Sequence, residues 1–311
     1  MAERLPPLTS LRAFESAARH MSFARAAEER SVTPAALSYH IKNLEEHLGA
    51  PAFRRLNRAV ELTEAGRALL PQVSEGFEAL ARGWRSARRT LDSTTLTVTA
   101  GPAFTAKWLA PRLFRFAEAH PGIELRFTAS LRLQDLEREE VDLAIRFGER
   151  FDPNLFSEVL YEGFLAPMMS PSLAKRVQEP EDLLAETLIH DESLAFLGAR
   201  APGWARWFEA AGVDSGPLKG VHFSQADHAI DMALEGAGVV LGRSSITTRA
   251  LRDGALVAPF DLALTVPAHY RIVCLQGQET RPAISQFREW AHAEVAADRP
   301  LAERFRKVHI A

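Results

Sequence analysis

Cysteine is nearly missing from this 311-residue chain: Cys274 stands alone, which excludes an internal disulfide and any cysteine-cluster metal site. No run of eighteen apolar residues occurs, so no transmembrane helix is expected. The opening stretch, MAERLPPLTSLRAFE, lacks the apolar core and cleavage site of a secretory leader. Together these absences point to a reducing, cytoplasmic setting. A strong excess of one charge is lacking too, with 37 Lys+Arg against 40 Asp+Glu and a net charge of −3. That near-balance hides an asymmetry. Residues 1–91 hold 14 basic and 10 acidic side chains and the remainder 23 and 30, as expected of a mildly basic module joined to an acidic body. What is plentiful is ordinary globular material, 47% hydrophobic and 25% charged, enough for two or three domains with a sizeable core.

Residues 1–62 read as three helices and a hairpin. Leu8, Leu11, Phe14, Ala17 and Ala18 follow helical spacing. Ser22 is placed to cap a second helix, Phe23 to Glu28, in which Ala26 and Ala27 allow a neighbour to approach closely. After the turn Arg30-Ser31-Val32, Thr33 as cap and Pro34 at the first helical position start a third helix. Leu37, Ile41, Leu44 and Leu48 are expected inside it, and Gly49 ends it. The outward face then holds Ala35, Ala36, Ser38, Tyr39, His40, Lys42 and Asn43: small residues first, hydrogen-bonding and basic ones after. A helix that enters a major groove by its N-terminus needs that order. By itself such a face is more often that of an ordinary solvated helix. The stretch Phe53 to Leu62 adds two short strands around a turn, and Arg54, Arg55 and Arg58 suit phosphate or minor-groove contacts.

The series LRAFE, SFARAAEE, VTPAALSYHIKNLEEHLG, FRR and LTEAG, from Leu8 to Gly66, resembles the N-terminal domain of LysR-type transcriptional regulators. The opening LPPLTSLRAFESAARHMSF further resembles the branch that includes the regulators of glycine cleavage and of β-lactamase induction. The resemblance implies a winged helix-turn-helix, with Thr33, Pro34, Ala35, Ser38, Tyr39, His40 and Lys42 on the recognition helix and Arg54, Arg55 and Arg58 on the wing. It implies double-stranded DNA as partner. Many family members carry arginine at the position of Tyr39.

Residues 63–91 read as one long helix, with Pro71 near a bend. Val73, Phe77, Leu80, Trp84, Ala87 and Leu91 recur at alternating spacings of four and three, an a/d seam. Val73, Phe77, Leu80, Trp84 and Leu91 are therefore expected to pair with a second copy. The resemblance agrees, implying a homodimer or homotetramer, and two-fold symmetry predicts a palindromic operator.

From residue 92 strands and helices alternate. Strands are expected at 96–100, 123–127 and 141–145, with a helix through Leu133, Leu136 and Glu137 between the last two, and later strands at 157–168, 187–190, 219–224, 238–242 and 269–275. A helix is expected at 282–297. The order implies a mostly parallel α/β unit in two lobes, lobe I about 92–164 and 270–311 and lobe II about 165–269. The resemblance identifies it as an effector domain similar to type II periplasmic binding proteins. In such lobes ligands gather beyond the carboxyl ends of strands, at helix N-termini. Pro102, Ala103, Phe104 and Thr105, Ser130, Arg146 and Phe147, Ser224 and Gln225, and Tyr270 are the candidate effector contacts, suited to a small polar or anionic molecule.

Other features favour ordinary roles. His190-Asp191-Glu192 diverge as consecutive residues must, so no metal is expected. Gly236, Gly238 and Gly242 precede and interrupt a strand, the wrong order for a dinucleotide loop. Ser244-Ser245 lacks the setting of a hydrolase nucleophile. Cys274 reads as a core thiol, and Trp204 and Trp207 as helix packing. No cofactor is implied. The rival reading, an enzyme or solute-binding protein with an accessory helical domain, lacks a catalytic constellation or an export leader.

Overall fold

The computed structural model describes residues 5–55, 60–91, 94–132, 135–136, 139, 141–149 and 151–310. The chain divides into two compact units, Met1–Arg89 and Thr90–Ala311.

The first unit contains α1 (Leu8–His20), α2 (Phe23–Glu29), α3 (Pro34–Leu48), the short antiparallel strands β1 (Phe53–Arg55) and β2 (Val60–Leu62), and α4 (Glu64–Leu91). The caps are those the sequence suggested. Ser22 Oγ accepts from Arg25 N, and Thr33 Oγ1 accepts from Ala36 N at 3.2 Å. Gly49 stops α3 at φ 74°, a left-handed conformation that costs glycine nothing. Phe14, Ala17, Ala26, Leu37, Ile41 and Leu44 form the core with Ala52 and Phe53. One expected core residue, Leu48, is not in it. Leu48, in the last turn of α3, is exposed, as is Leu8 in the first turn of α1. The motif LTEAG has a steric reason: a Cβ on Gly66 would lie 2.2 Å from the carbonyl oxygen of Ala52, so only glycine lets α4 pass the hairpin. Thr63 closes the corner by accepting from Gly66 N and donating to Pro51 O.

The second unit holds two sheets. The first lobe contributes β3 (Thr95–Ala100), α5 (Pro102–Phe104) running into a π-helical turn Thr105–Leu109, α6 (Leu113–Ala119), β4 (Glu124–Ala129), β5 (Leu143–Gly148) and β6 (Leu155–Tyr161). The second contributes β7 (Leu165–Met168), α7 (Pro171–Ala174), β8 (Leu188–Asp191), α8 (Trp204–Ala211), β9 (Gly220–Phe223), α9 (Ala226–Leu234), β10 (Val239–Arg243), α10 (Ser244–Arg252) and β11 (Leu262–Thr265). The chain then returns through β12 (His269–Leu275), α11 (Pro282–Ala296) and α12 (Pro300–Glu303), and ends on β13 (Arg306–His309). The five-stranded sheet runs β4-β3-β5-β12-β6 and the six-stranded sheet β13-β11-β7-β10-β8-β9.

Several expectations are corrected here. The sheets are mixed: β3 is parallel to β4 and β5, but β12 is antiparallel to β5 and β6, and β7 is antiparallel to β10. The single strand expected at 157–168 is two strands in different sheets, because the chain crosses between lobes after Tyr161. The C-terminal segment does not stay in lobe I. β13 pairs in parallel with β11, a third crossing that straps the lobes together. Leu136 lies in a turn, while Leu133 and Glu137, expected on a helix with it, lie outside the described residues. Apolar packing is continuous from one lobe to the other, from Trp108, Phe104 and Ile272 to Ile189, Val240 and Ile230.

The crossing side of the two lobes is also tied by ions. Asp298, 2% exposed, accepts from Trp108 Nε1 at 3.0 Å and pairs with Arg112 at 3.3 Å and with Arg252 of α10 at 2.6 Å. Lys107 pairs with Asp231 of α9, and Arg200 with Glu149 at 2.6 Å.

Candidate functional sites

In the first unit, α2, a four-residue turn and α3 form the helix-turn-helix. The turn needs Ser31 at φ 52°, and Val32 N closes it on Ala27 O. Thr33, Pro34 and Ala35 are exposed at the start of α3, followed by exposed Tyr39 and Lys42 and half-buried Ser38 and His40. The rings of Tyr39 and His40 meet edge-on at 5.7 Å, and Lys42 lies 3.6 Å from Glu46. Asn43, expected outside, is instead bonded through Oδ1 to Ser10 of α1, which removes it from the outward face. Glu45 joins α3 to the hairpin: its Oε1 accepts from the amides of Ala52 and Phe53 at 2.9 and 3.2 Å. Arg54 is exposed on β1, opposite Glu61. The side chain of Arg55 and the whole of Arg58 lie outside the described residues.

The seam of α4 is corrected in its first half. Val73 is buried in the unit's own core, and Phe77 packs against that core with the Arg12 guanidinium 4.7 Å from its ring centre. Val73 is thereby withdrawn from the surface, and Phe77, half-buried, is withdrawn in part. Leu80 and Trp84 are the exposed apolar pair, 55% and 71% accessible. The side chain of Leu91 lies outside the described residues.

The second unit holds a cavity of about 680 Å³, a size that fits a small organic molecule. Pro102, Ala103, Phe104, Ser130, Arg146, Phe147, Gln225 and Tyr270, all expected, line it. Thr105 and Ser224 do not. Thr105 folds its hydroxyl back onto Gly101 O at 3.0 Å, and Ser224 is exposed beside the helix start. Ser193, Leu194, Phe196 and Arg243 line it without having been foreseen. They come from β10 and from a 3₁₀ helix, Glu192–Arg200, that only the fold brings opposite β5.

The lining has an interlobe part and a lateral part. Strand residues alternate between faces, so Arg146 and Phe147 cannot share one. Phe147 and Ile145 pack with Tyr270 and Phe104, whose rings stack at 4.2 Å, on the side facing lobe II. Ala144 packs on the other face with Leu136, Val273, Phe151 and Leu155, the face on which Arg146 sits. The cavity wraps the end of β5. In the interlobe part, α5 and α9 both begin without a side-chain cap, so the first amides of each have no acceptor from their own helix. Arg243 of β10 is buried there, with Nη2 on Ser193 Oγ at 3.0 Å and 3.3 Å from Asp191 Oδ2, while Nε has no acceptor. Burial raises the pKa of Tyr270, keeping it a neutral phenol.

Of the remaining features, Asp191 serves Arg243, Glu192 serves His222 at 2.8 Å, and His190 stacks on His222 at 4.2 Å. Among the described residues no three such groups converge for a metal. Cys274 is fully buried, and burial pushes its thiol up to about 12, the behaviour of a core residue. Ser244 Oγ accepts from Phe164 N, and Trp204 and Trp207 donate to Ile189 O and Leu262 O, all in the interior.

Comparison with known proteins matches residues 8–67 to the bacterial regulatory helix-turn-helix protein, lysR family, and residues 89–296 to the LysR substrate binding domain. The chain belongs to the LysR family. Relatives agree across nearly its whole length. The glycine cleavage system transcriptional activator of Escherichia coli K12 is 38% identical, over 98% of each chain. The transcriptional activator AmpR of Citrobacter koseri is 35% identical over 91% of this chain and 96% of its own. Among solved structures, the effector domain of Pseudomonas aeruginosa AmpR covers 68% of this regulator and 98% of that chain, at 29% identity and a TM-score of 0.53. The regulator is thus a transcription factor and not an enzyme, built from a helix-turn-helix DNA-binding domain and a two-lobed effector-binding domain. LysR regulators bind DNA and small-molecule effectors and are oligomeric. No described helix is long and apolar enough to cross a membrane.

Proposed function

We propose that this regulator reads a palindromic operator as a homodimer or homotetramer in the cytoplasm and responds to a small polar or anionic effector held between its lobes. The effector reading rests on one observation: uncapped helix starts from both lobes and the buried Arg243 Nε converge on the interlobe cavity. Amides at a helix start and a guanidinium favour an anion. Such a ligand, touching both lobes, binds one arrangement of them better than another and shifts the population toward it.

On the DNA side, Thr33, Pro34, Ala35, Ser38, Tyr39, His40 and Lys42 of α3 are the groove-facing set, and Arg54, Arg55 and Arg58 the backbone contacts. Few of these read bases strongly, so specificity comes from two half-sites read together. Leu80 and Trp84 of α4 are the surface that brings a second copy.

Fluorescence anisotropy on the duplex upstream of the coding sequence, with an unrelated duplex as control and a salt series, tests the reading. Arg54→Ala weakens binding to both duplexes and lowers the salt slope by about 1, as expected for one lost phosphate contact. Ser38→Ala changes the preference between duplexes. A wild-type protein with no preference at any salt concentration would sink the operator reading. Equal scaling by both substitutions would sink the division of contacts.

A further inference from the structure

We infer that the lateral part of the cavity, on the face of the lobe I sheet turned away from lobe II, is a second ligand site for a monocarboxylate with a short apolar body. The inference rests on the reading of this cavity as an effector site for its regulatory meaning, although occupancy is argued from this compartment alone.

Arg146 is the central observation. It is 8% exposed, yet among the described residues no carboxylate lies within ion-pair distance. Its Nη1 reaches only Ser130 O at 3.4 Å, and its Nη2 has no acceptor. The other buried arginines each have a carboxylate partner, Arg112 in Asp298, Arg281 in Asp142 and Arg243 in Asp191, although the Nε of Arg243 and of Arg281 has no acceptor. Burial lowers the pKa of the Arg146 guanidinium, and the field of Glu139 only partly offsets this, but arginine stays charged. A buried charge without a partner is costly unless something else supplies one.

A second cation sharpens the deficit. Arg271 of β12 stands directly opposite Arg146 in register, a destabilising arrangement for like charges on adjacent strands. Among the described residues it is bonded only to Ser157, and it lies over the Phe151 ring at 5.6 Å. Among the described residues, Glu139 pairs with Arg132 and Glu149 with Arg200.

The rest of the wall decides the ligand's body. Among the described residues, Leu136, Ala144, Phe151, Leu155 and Val273 offer hydrocarbon, while the two carboxylates that also line the cavity are engaged, Glu149 by Arg200 and exposed Asp152 by Asn154 N and Nδ2. A sugar or phosphate ester would leave its polar groups unpaired there, whereas an acyl or aryl chain ending in one carboxylate satisfies both halves.

Hexanoate, with hexanamide as its uncharged counterpart, probes the site by calorimetric titration and thermal melting of the full chain. Hexanoate is expected to bind saturably and raise the melting temperature, and hexanamide to do neither. Arg146→Gln weakens hexanoate about tenfold or more, Arg146→Lys restores part of the loss, and Ala144→Leu blocks the compartment with the charge left in place. Gln225→Ala, in the interlobe part, leaves hexanoate binding unchanged. Without ligand, Arg146→Gln melts above wild type, because an unpaired buried charge is gone. The site is overturned if hexanoate does not bind saturably, binds Arg146→Gln as well as wild type, or is lost equally in Gln225→Ala. A lower melting temperature for ligand-free Arg146→Gln would make Arg146 a structural residue and overturn it too. Failure of the regulatory meaning appears separately, as operator binding that hexanoate leaves unmoved while its own binding is intact.

Discussion

The two units use the same side chain in opposite ways. In the first, Arg54 and Lys42 stand in water, where a cation costs little and each contact gains little. A phosphate backbone rewards many such charges by releasing its counterions. In the second, Arg112, Arg146, Arg243 and Arg281 are each under 10% exposed, and three of them are held by an aspartate. There each charge must be matched individually, so one unmatched cation marks a site more sharply than several exposed ones.

The largest effect that could break this contrast is the removal of a buried counter-ion. Asp142 lies 2.6 Å from Arg281 and also accepts from Thr97 N. Asp142→Ala is expected to cost about 3–5 kcal/mol, since it leaves a buried charge unpaired. Urea unfolding of the second unit checks it, followed by tryptophan fluorescence in a Trp84→Phe background, because the other four tryptophans all lie in that unit. A loss under 1 kcal/mol would mean that water reaches Arg281.

A middle case sharpens it. Glu29, near the surface of the first unit, accepts from Ser16 Oγ at 2.8 Å, Arg19 and His20, and these bonds hold its carboxyl at about 2, against an ordinary value of 4.5. A depressed carboxylate adds stability above its unfolded pKa and loses it as pH falls through the folded one. Glu29→Gln should therefore destabilise this unit by less than about 1 kcal/mol at neutral pH, discounted for exposure. The difference from wild type should close between about pH 4.5 and 2. Melting curves across that range measure it, and a difference independent of pH would point to shape in place of charge.

The smallest effect is expected on the DNA face. Tyr39→Ala and Lys42→Ala should change stability by no more than about 0.5 kcal/mol, as for other surface positions. Circular-dichroism melting tests this; a larger loss would place these residues in the packing of the first unit.

Much of the fold was readable because its signals are local. Thr33-Pro34 and Gly49 delimit α3 through backbone chemistry that needs no partner. The motif pattern named the family before any contact was known. Other features depend on distant segments. β13, Arg-Lys-Val-His, offers one apolar residue in four and becomes a strand only because β11 presents a free edge. Val73 and Phe77 fit an a/d seam by spacing, yet the core beneath α1 claims them first. Ser193, Phe196 and Arg243 carry no signature of their own, whereas the opposite facing of Arg146 and Phe147 follows from strand alternation.

The sequence by itself determined the helix caps, most strands, the division into a basic and an acidic part, and the family, since these depend on neighbours within a few residues. Only the tertiary structure decided which cations are buried and which of them is matched. Burial and ion pairing join residues more than a hundred positions apart, such as Asp142 and Arg281, and a linear pattern holds no record of that distance.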